Sequence, residues 1–328
     1  MDLVSLEKRL DVIQRLAEGS HLQRWWHHPL RYVAGVGYWR LCHPWHRKGI
    51  RVTATTCFGS DMVLRLPAAT EIYIFGAKTH PSEIRLTRFL MRSLQPGRTF
   101  CDAGAHVGYF SLLAAALVGP TGRVHAFEPT PSTFGLLAEN TRRHPNISAV
   151  PCAATDADTV LPFHEFPVLF SEYNSLGPPT GKSAAWLAAH PPRVREVRGI
   201  RLDDYFARMN TRPDICKIDV EGAEPQVLKG MGNLLDTDSP PLLVMEYHRS
   251  GGQDKAHREA VDFARRKGFR TYLIHTDGCL REVSDIGASM QERQLDSDNI
   301  VLSKGGDNDL SPDRNGAGPA QYGPASLP

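Results

Sequence analysis

The sequence predicts an α/β protein, with helices on both faces of a mostly parallel sheet. Three observations carry that reading. Short apolar runs suited to strands alternate with helical patterns along most of the chain. Two of the strands, ending near Cys101 and Ile218, pass at once into turns that mix acidic residues with glycine and then into helices. Five ionisable residues (Asp102, Glu128, Asp219, Glu246 and His248) each lie at or near a strand end, and in open α/β sheets ligands bind beyond the carboxyl ends of the strands.

Leu3, Leu6, Leu10, Ile13 and Ala17 repeat at helical spacing, which predicts a helix packed on the main domain or, alternatively, a homodimer contact. An aromatic-basic patch comes next, with Trp25, Trp26, Arg31, Tyr32, Trp39 and Arg40, continuing through Trp45, His46, Arg47 and Lys48. Such residues can cover a core edge with amphipathic side chains, wall a substrate site, stack bases or meet a membrane surface. From Arg51 to Phe75 the residues alternate as in one or two hairpins, including Ile72 and Ile74. Pro81 to Leu94 is expected as a helix stopped by Pro96-Gly97.

Beyond the turn at Asp102 the pattern predicts a helix from about Val107 to Leu117, a strand Arg123 to Glu128 and a helix Pro129 to Arg143. Strands are expected over 147–153, 159–166 and 194–200, with a loop rich in Gly, Pro and Ser between 170 and 192. The second strand-turn-helix unit follows at Ile215, its helix running from Pro225 to about Leu235. Then come a strand 241–248, a helix 254–267 and strands 269–275 and 299–303. Three regions result: an extension over 1–60, a main domain over 61–304 and a disordered tail over 305–328, poor in apolar residues.

Composition narrows the classes of function. The 328 residues are 41% hydrophobic and carry a net charge of +2, so the overall charge gives no strong electrostatic pull toward nucleic acid or an anionic membrane. The six cysteines show no zinc spacing, and Cys101, Cys152 and Cys216 fall in apolar runs, which fits a reducing, cytoplasmic setting. No apolar run is long enough to span a bilayer.

The turn itself specifies a ligand. Between strand and helix stands D-x-G-x-x-x-G, formed by Asp102, Gly104 and Gly108, with His106 where a further glycine stands in dinucleotide turns. Glycine admits a ligand close to the backbone, and the helix start offers unpaired N–H groups. Glu128, ending the next strand, can accept both hydroxyls of a ribose. A carboxylate at Asp102 would repel a pyrophosphate but suits the ammonium and sulfonium of S-adenosylmethionine (SAM). An NAD-dependent oxidoreductase and a non-catalytic binding protein that kept the fold are the competing readings.

Taken together, Phe100-Cys-Asp-Ala-Gly-Ala-His-Val-Gly-Tyr-Phe-Ser111, Arg201-Leu-Asp-Asp-Tyr205 and Lys217-Ile-Asp-Val-Glu-Gly-Ala-Glu224 resemble the FkbM family of SAM-dependent methyltransferases. The resemblance spans roughly residues 76–303. It implies a Rossmann-like class I methyltransferase sheet of seven strands, the last antiparallel, and methyl transfer to a hydroxyl of a sugar or secondary metabolite. It places Asp102, Gly104 and Gly108 around the methionine part and Glu128 on the ribose, with Ala153 and Ala154 bordering the adenine. His106 stands where the family often has asparagine.

Methyl transfer from a sulfonium mainly requires alignment, but an alcohol also has to lose a proton. Asp219 and His248 are the candidate bases, with Glu221 and Glu246 beside them. Asp219, Glu221 and Glu246 could alternatively hold Mg²⁺ against a diol. Lys217 is expected to pair with Glu246 across neighbouring strands or, alternatively, to orient the substrate.

Overall fold

The computed structural model describes residues 2–42, 49–177, 183–249 and 254–305. Trp45, His46, Arg47 and Lys48 of the aromatic-basic patch, part of the loop expected over 170–192 and the tail beyond Gly305 lie outside the described residues.

The chain opens with α1 (Leu3–Glu18), α2 (His21–His27) and α3 (Pro29–Gly37), then a π-helical turn at Tyr38–Cys42. The hairpin β1 (Ile50–Thr55) and β2 (Asp61–Leu66) leads through α4 (Thr70–Phe75) to α5 (Pro81–Ser93). Next come β3 (Thr99–Ala103), α6 (Tyr109–Val118), β4 (Arg123–Phe127), α7 (Pro131–Thr141) and β5 (Ile147–Val150). A small separate sheet follows, built from β6 (Ala153–Ala154), β7 (Val160–Glu165) and β8 (Arg193–Ile200). Between β7 and β8 lie a 3₁₀ segment, Val168–Tyr173, and α8 (Ala184–Ala189). The remainder is α9 (Leu202–Arg208), β9 (Ile215–Ile218), α10 (Glu224–Lys229), α11 (Gly232–Leu235), β10 (Leu242–His248), α12 (Asp254–Arg266), β11 (Arg270–Ile274), β12 (Leu280–Glu282), α13 (Ile286–Glu292) and β13 (Ser297–Ser303).

The main sheet has the order β5-β4-β3-β9-β10-β13-β11-β12. Strands β5, β4, β3, β9 and β10 run parallel, and β13 is antiparallel to both its neighbours. This is the expected seven-stranded class I sheet with its last strand reversed, extended by the short edge strand β12. From β3 the chain winds outward to β4 and β5, then returns to β9 on the other side. The gap beyond the ends of β3 and β9 is therefore the topological switch point, where such sheets bind ligands.

Each face of the sheet buries its own apolar layer. Phe100 and Val124 pack with α1, α5 and α6, whereas Cys101, Ala103 and Phe127 face α9 to α12. Helix α1 belongs to the first layer, with Leu6, Leu10 and Ile13 buried in it. Buried Arg88 of α5 pins the helix through Glu7 and Asp11, both at 2.7 Å. Leu6, Leu10 and Ile13 of the α1 stripe are thus covered by their own domain, while Leu3 is 42% exposed.

Three local expectations need correction. Ile72 and Ile74 belong to helix α4, not a strand, because two apolar residues two apart do not separate the periods in so short a run. Gly76 closes that helix with a left-handed φ of 69°. The strand expected over 147–153 breaks in two, since Pro151 has no N–H to continue the ladder, and β6 joins the small sheet. The helix expected over 225–235 is split near Gly230, whose Cβ, if present, would lie 2.0 Å from the Thr155 carbonyl oxygen.

Candidate active site

The glycine turn after β3 is shaped by contacts that only glycine permits. Gly104 has φ 82°, and a Cβ there would lie 1.8 Å from the carbonyl oxygen of Asp219. The turn thereby locks onto the end of β9. The N–H groups of Gly104 and Ala105 both donate to the Phe127 carbonyl, at 3.0 and 2.9 Å. Gly108, at φ 91°, starts α6 against Leu137.

One crevice at the switch point collects residues from all these elements. Among the expected ones it is lined by Gly104, His106, Glu128, Ala153, Ala154, Asp219 and Glu221. Lys78, Phe163, Ser171, Glu172, Asn174 and Leu176 complete much of its wall. Glu128 sits at the floor, 5% exposed. Its two oxygens accept from the backbone N–H groups of His106 (3.1 Å) and Thr130 (3.0 Å), so one is held against the glycine turn and the other against the start of the loop after β4. Burial pushes its carboxyl up to about 7, against the opposing pull of those donors. His106 meets Ser171 at 3.0 Å through Nε2, and burial together with nearby Lys78 lowers it to about 4, so the ring is neutral.

Asp102 does not line the crevice. It is 1% exposed, accepts from the Ser111 hydroxyl at 2.6 Å and lies 3.6 Å from the Lys217 ammonium. Lys217 also donates to Asp219 at 2.9 Å. The expected Lys217–Glu246 pair is replaced by this arrangement, because in the β9–β10 register Lys217 lies opposite Val244, not Glu246. Lys217 therefore links the buried Asp102 to the crevice-lining Asp219. Burial works against both charges of the Lys217–Asp219 pair, yet the pair prevails, and with Lys78 it holds Asp219 below the usual carboxylate range.

Of the catalytic candidates, Asp219 and Glu221 line the crevice, whereas Glu246 and His248 are not among its lining residues. Asp219, Glu221 and Glu246 bring carboxylate oxygens within 4.8 Å of one another. An oxygen set of this kind has the donor chemistry that Mg²⁺ takes. His248 Nε2 is 3.3 Å from Glu246, whose hydrogen bond raises the imidazole above its ordinary value despite burial. Its backbone N–H donates to His257 Nδ1 at 2.9 Å, and the two rings stack at 5.3 Å. Glu224 stays inside, accepting from the N–H groups of Val220 and Gly222 and so shaping the strained turn at Glu221, φ 55°.

The family model described as "Methyltransferase FkbM domain" matches residues 102–271. The chain belongs to the FkbM methyltransferase family. It is 33% identical over 241 residues, 64% of this chain and 90% of the relative, to 31-O-demethyl-FK506 methyltransferase FkbM of Streptomyces tacrolimicus. It is 25% identical over 163 residues, 49% of this chain and 60% of the relative, to hexuronic acid methyltransferase AglP of Haloferax volcanii. Among solved structures, fibrillarin of Aeropyrum pernix with bound S-adenosyl-L-methionine aligns over 66% of this chain and 73% of that one, at 12% identity and a TM-score of 0.39.

Several residues of this FkbM-family site escaped the sequence. Lys78 is half-buried and ion-paired with Glu83, lines the crevice and lies 5.6 Å from the Phe110 ring. A lone lysine between Gly76 and Pro81 gives no local signal. Ser171, Glu172 and Asn174 come from the segment after β7, and the only hint was its length and irregularity.

Proposed function

We propose that this FkbM-family enzyme transfers the methyl group of SAM to a hydroxyl of a small molecule. The observation that carries the reading is one crevice shared by the Gly104 turn, Glu128, Ala153-Ala154 and the acids Asp219 and Glu221. Glu128 offers its remaining lone pairs to the ribose hydroxyls, and the small side chains of Ala153 and Ala154 leave room for the flat adenine. Asp219 and Glu221 supply negative charge for the cationic sulfonium and ammonium, and Asp102 supports them through Lys217.

A second, larger cavity of about 880 Å³ adjoins the crevice and shares Glu172 with it. Trp25, Trp39, Ile74, Phe75, Phe170 and Tyr173 contribute to its mostly apolar wall. It suits the apolar body of an acceptor whose hydroxyl reaches toward the methyl group. The relative named for 31-O-demethyl-FK506 supports an oxygen acceptor on a bulky metabolite.

The proton of that hydroxyl goes to His248. With Nε2–H directed at Glu246, Nδ1 keeps a free lone pair as the acceptor. Asp219, held ionised by two lysines, is the weaker base and serves to position the acceptor and balance the sulfonium. If Mg²⁺ sits on Asp219, Glu221 and Glu246, it acidifies a diol acceptor; EDTA then abolishes turnover and Mg²⁺ restores it. Calorimetry with S-adenosylhomocysteine and transfer of labelled methyl to a panel of hydroxylated apolar metabolites and sugars test the proposal. No binding heat on folded protein refutes it.

A further inference from the structure

We propose that α2, α3 and the π-helical turn after them form a docking surface for an anionic lipid bilayer. Seven of the thirteen exposed large apolar side chains among the described residues fall between Leu22 and Leu41. Trp26 is 79% and Leu30 85% exposed. Leu22 and Trp26 stand one turn apart on α2, and Leu30 and Val33 one turn apart on α3, so each helix shows solvent an apolar ridge. Side chains of this size, gathered in one place, mark an interaction site rather than chance exposure.

The charge around the ridge selects the partner. From Gly19 to Leu41, the stretch that carries the ridge, the sequence holds no aspartate or glutamate, in a chain with 36 acidic residues, yet it holds Arg24, Arg31 and Arg40. Arg24 and Arg31 are tied to backbone carbonyls of Leu16 and Tyr73, which leaves their charge uncancelled by any carboxylate in those bonds, and Arg40 is exposed. A two-fold contact with a second copy would set these cations against one another. An anionic headgroup layer complements them, while Trp and Leu enter the acyl boundary. Helices of seven and nine residues lie on such a surface and do not cross it. Trp25 and Trp39 also wall the 880 Å³ cavity, so the docking face and the cavity are continuous.

Flotation of the full-length protein with vesicles tests this. Vesicles of phosphatidylcholine with about 30% phosphatidylglycerol should carry the protein upward, and pure phosphatidylcholine should carry much less. Raising the salt should release it. The variant Trp26→Glu/Leu30→Glu, which alters no cavity-wall residue, should float at least about tenfold less with an unchanged unfolding midpoint. Brominated lipid in the anionic vesicles should quench tryptophan emission of the unmodified chain, a readout that needs no variant. Absence of both flotation and quenching overturns the proposal. So does sedimentation showing a dimer that the double variant splits, with no binding to vesicles.

Discussion

Glu128 links cofactor affinity to pH, and the size of that link follows from its surroundings. Burial moves its carboxyl from 4.5 to about 7 in the free protein, equivalent to about 3 kcal/mol against the anion. A raised acid binds more protons folded than unfolded, so its contribution to stability falls as pH rises from 4.5 toward 7. Ribose hydroxyls donate to the anion and favour it. Cofactor affinity should therefore climb as pH rises through about 7 and then level off. If only the ionised form binds, affinity should drop about thirtyfold between about pH 8 and about pH 5.5. Calorimetry with S-adenosylhomocysteine across that range measures it. Glu128→Gln should bind weakly and with little pH dependence. Its amide nitrogen would confront one of the backbone N–H groups now bonded to the carboxylate, at about 1–3 kcal/mol. A flat profile in the unmodified protein, or the same slope in the variant, refutes the role given to Glu128.

Gly104→Ala should lose cofactor binding and lower the unfolding midpoint, since the added carbon meets the Asp219 carbonyl oxygen at 1.8 Å and the left-handed backbone alone costs about 1–2 kcal/mol. Lys217→Met should destabilise by about 3–5 kcal/mol in denaturant unfolding, because Asp102 is buried beside it; adding Asp102→Asn should recover much of that loss. His248→Ala should cut turnover by about 10²–10⁴ while leaving S-adenosylhomocysteine affinity in place. Because the Glu246 hydrogen bond raises His248, kcat/KM should rise with pH through a value above the ordinary histidine one, and Glu246→Gln should move that limb to lower pH.

Most of the fold was legible because it is written in local periods. Strand and helix patterns, the glycine turn and the Lys217–Glu224 string each lie within a dozen residues, and they led to the sheet, the family and the rim that holds Asp219, Glu221 and Glu246. Glu128 was readable from its place at the end of a strand, one helix past the turn. What stayed hidden depends on partners far apart in the chain. Asp102 turns toward Lys217, 115 positions away in sequence, and Lys217 pairs with Asp219 because the sheet register takes it away from Glu246. Lys78 and Ser171 join the crevice from segments on either side of the motif, with no pattern of their own. The sequence by itself determined the architecture and the edge where chemistry occurs, since burial periodicity and turn stereochemistry act over a few residues. Only the tertiary structure decided which charges neutralise which, because Coulomb energy and desolvation depend on distance in space, not along the chain.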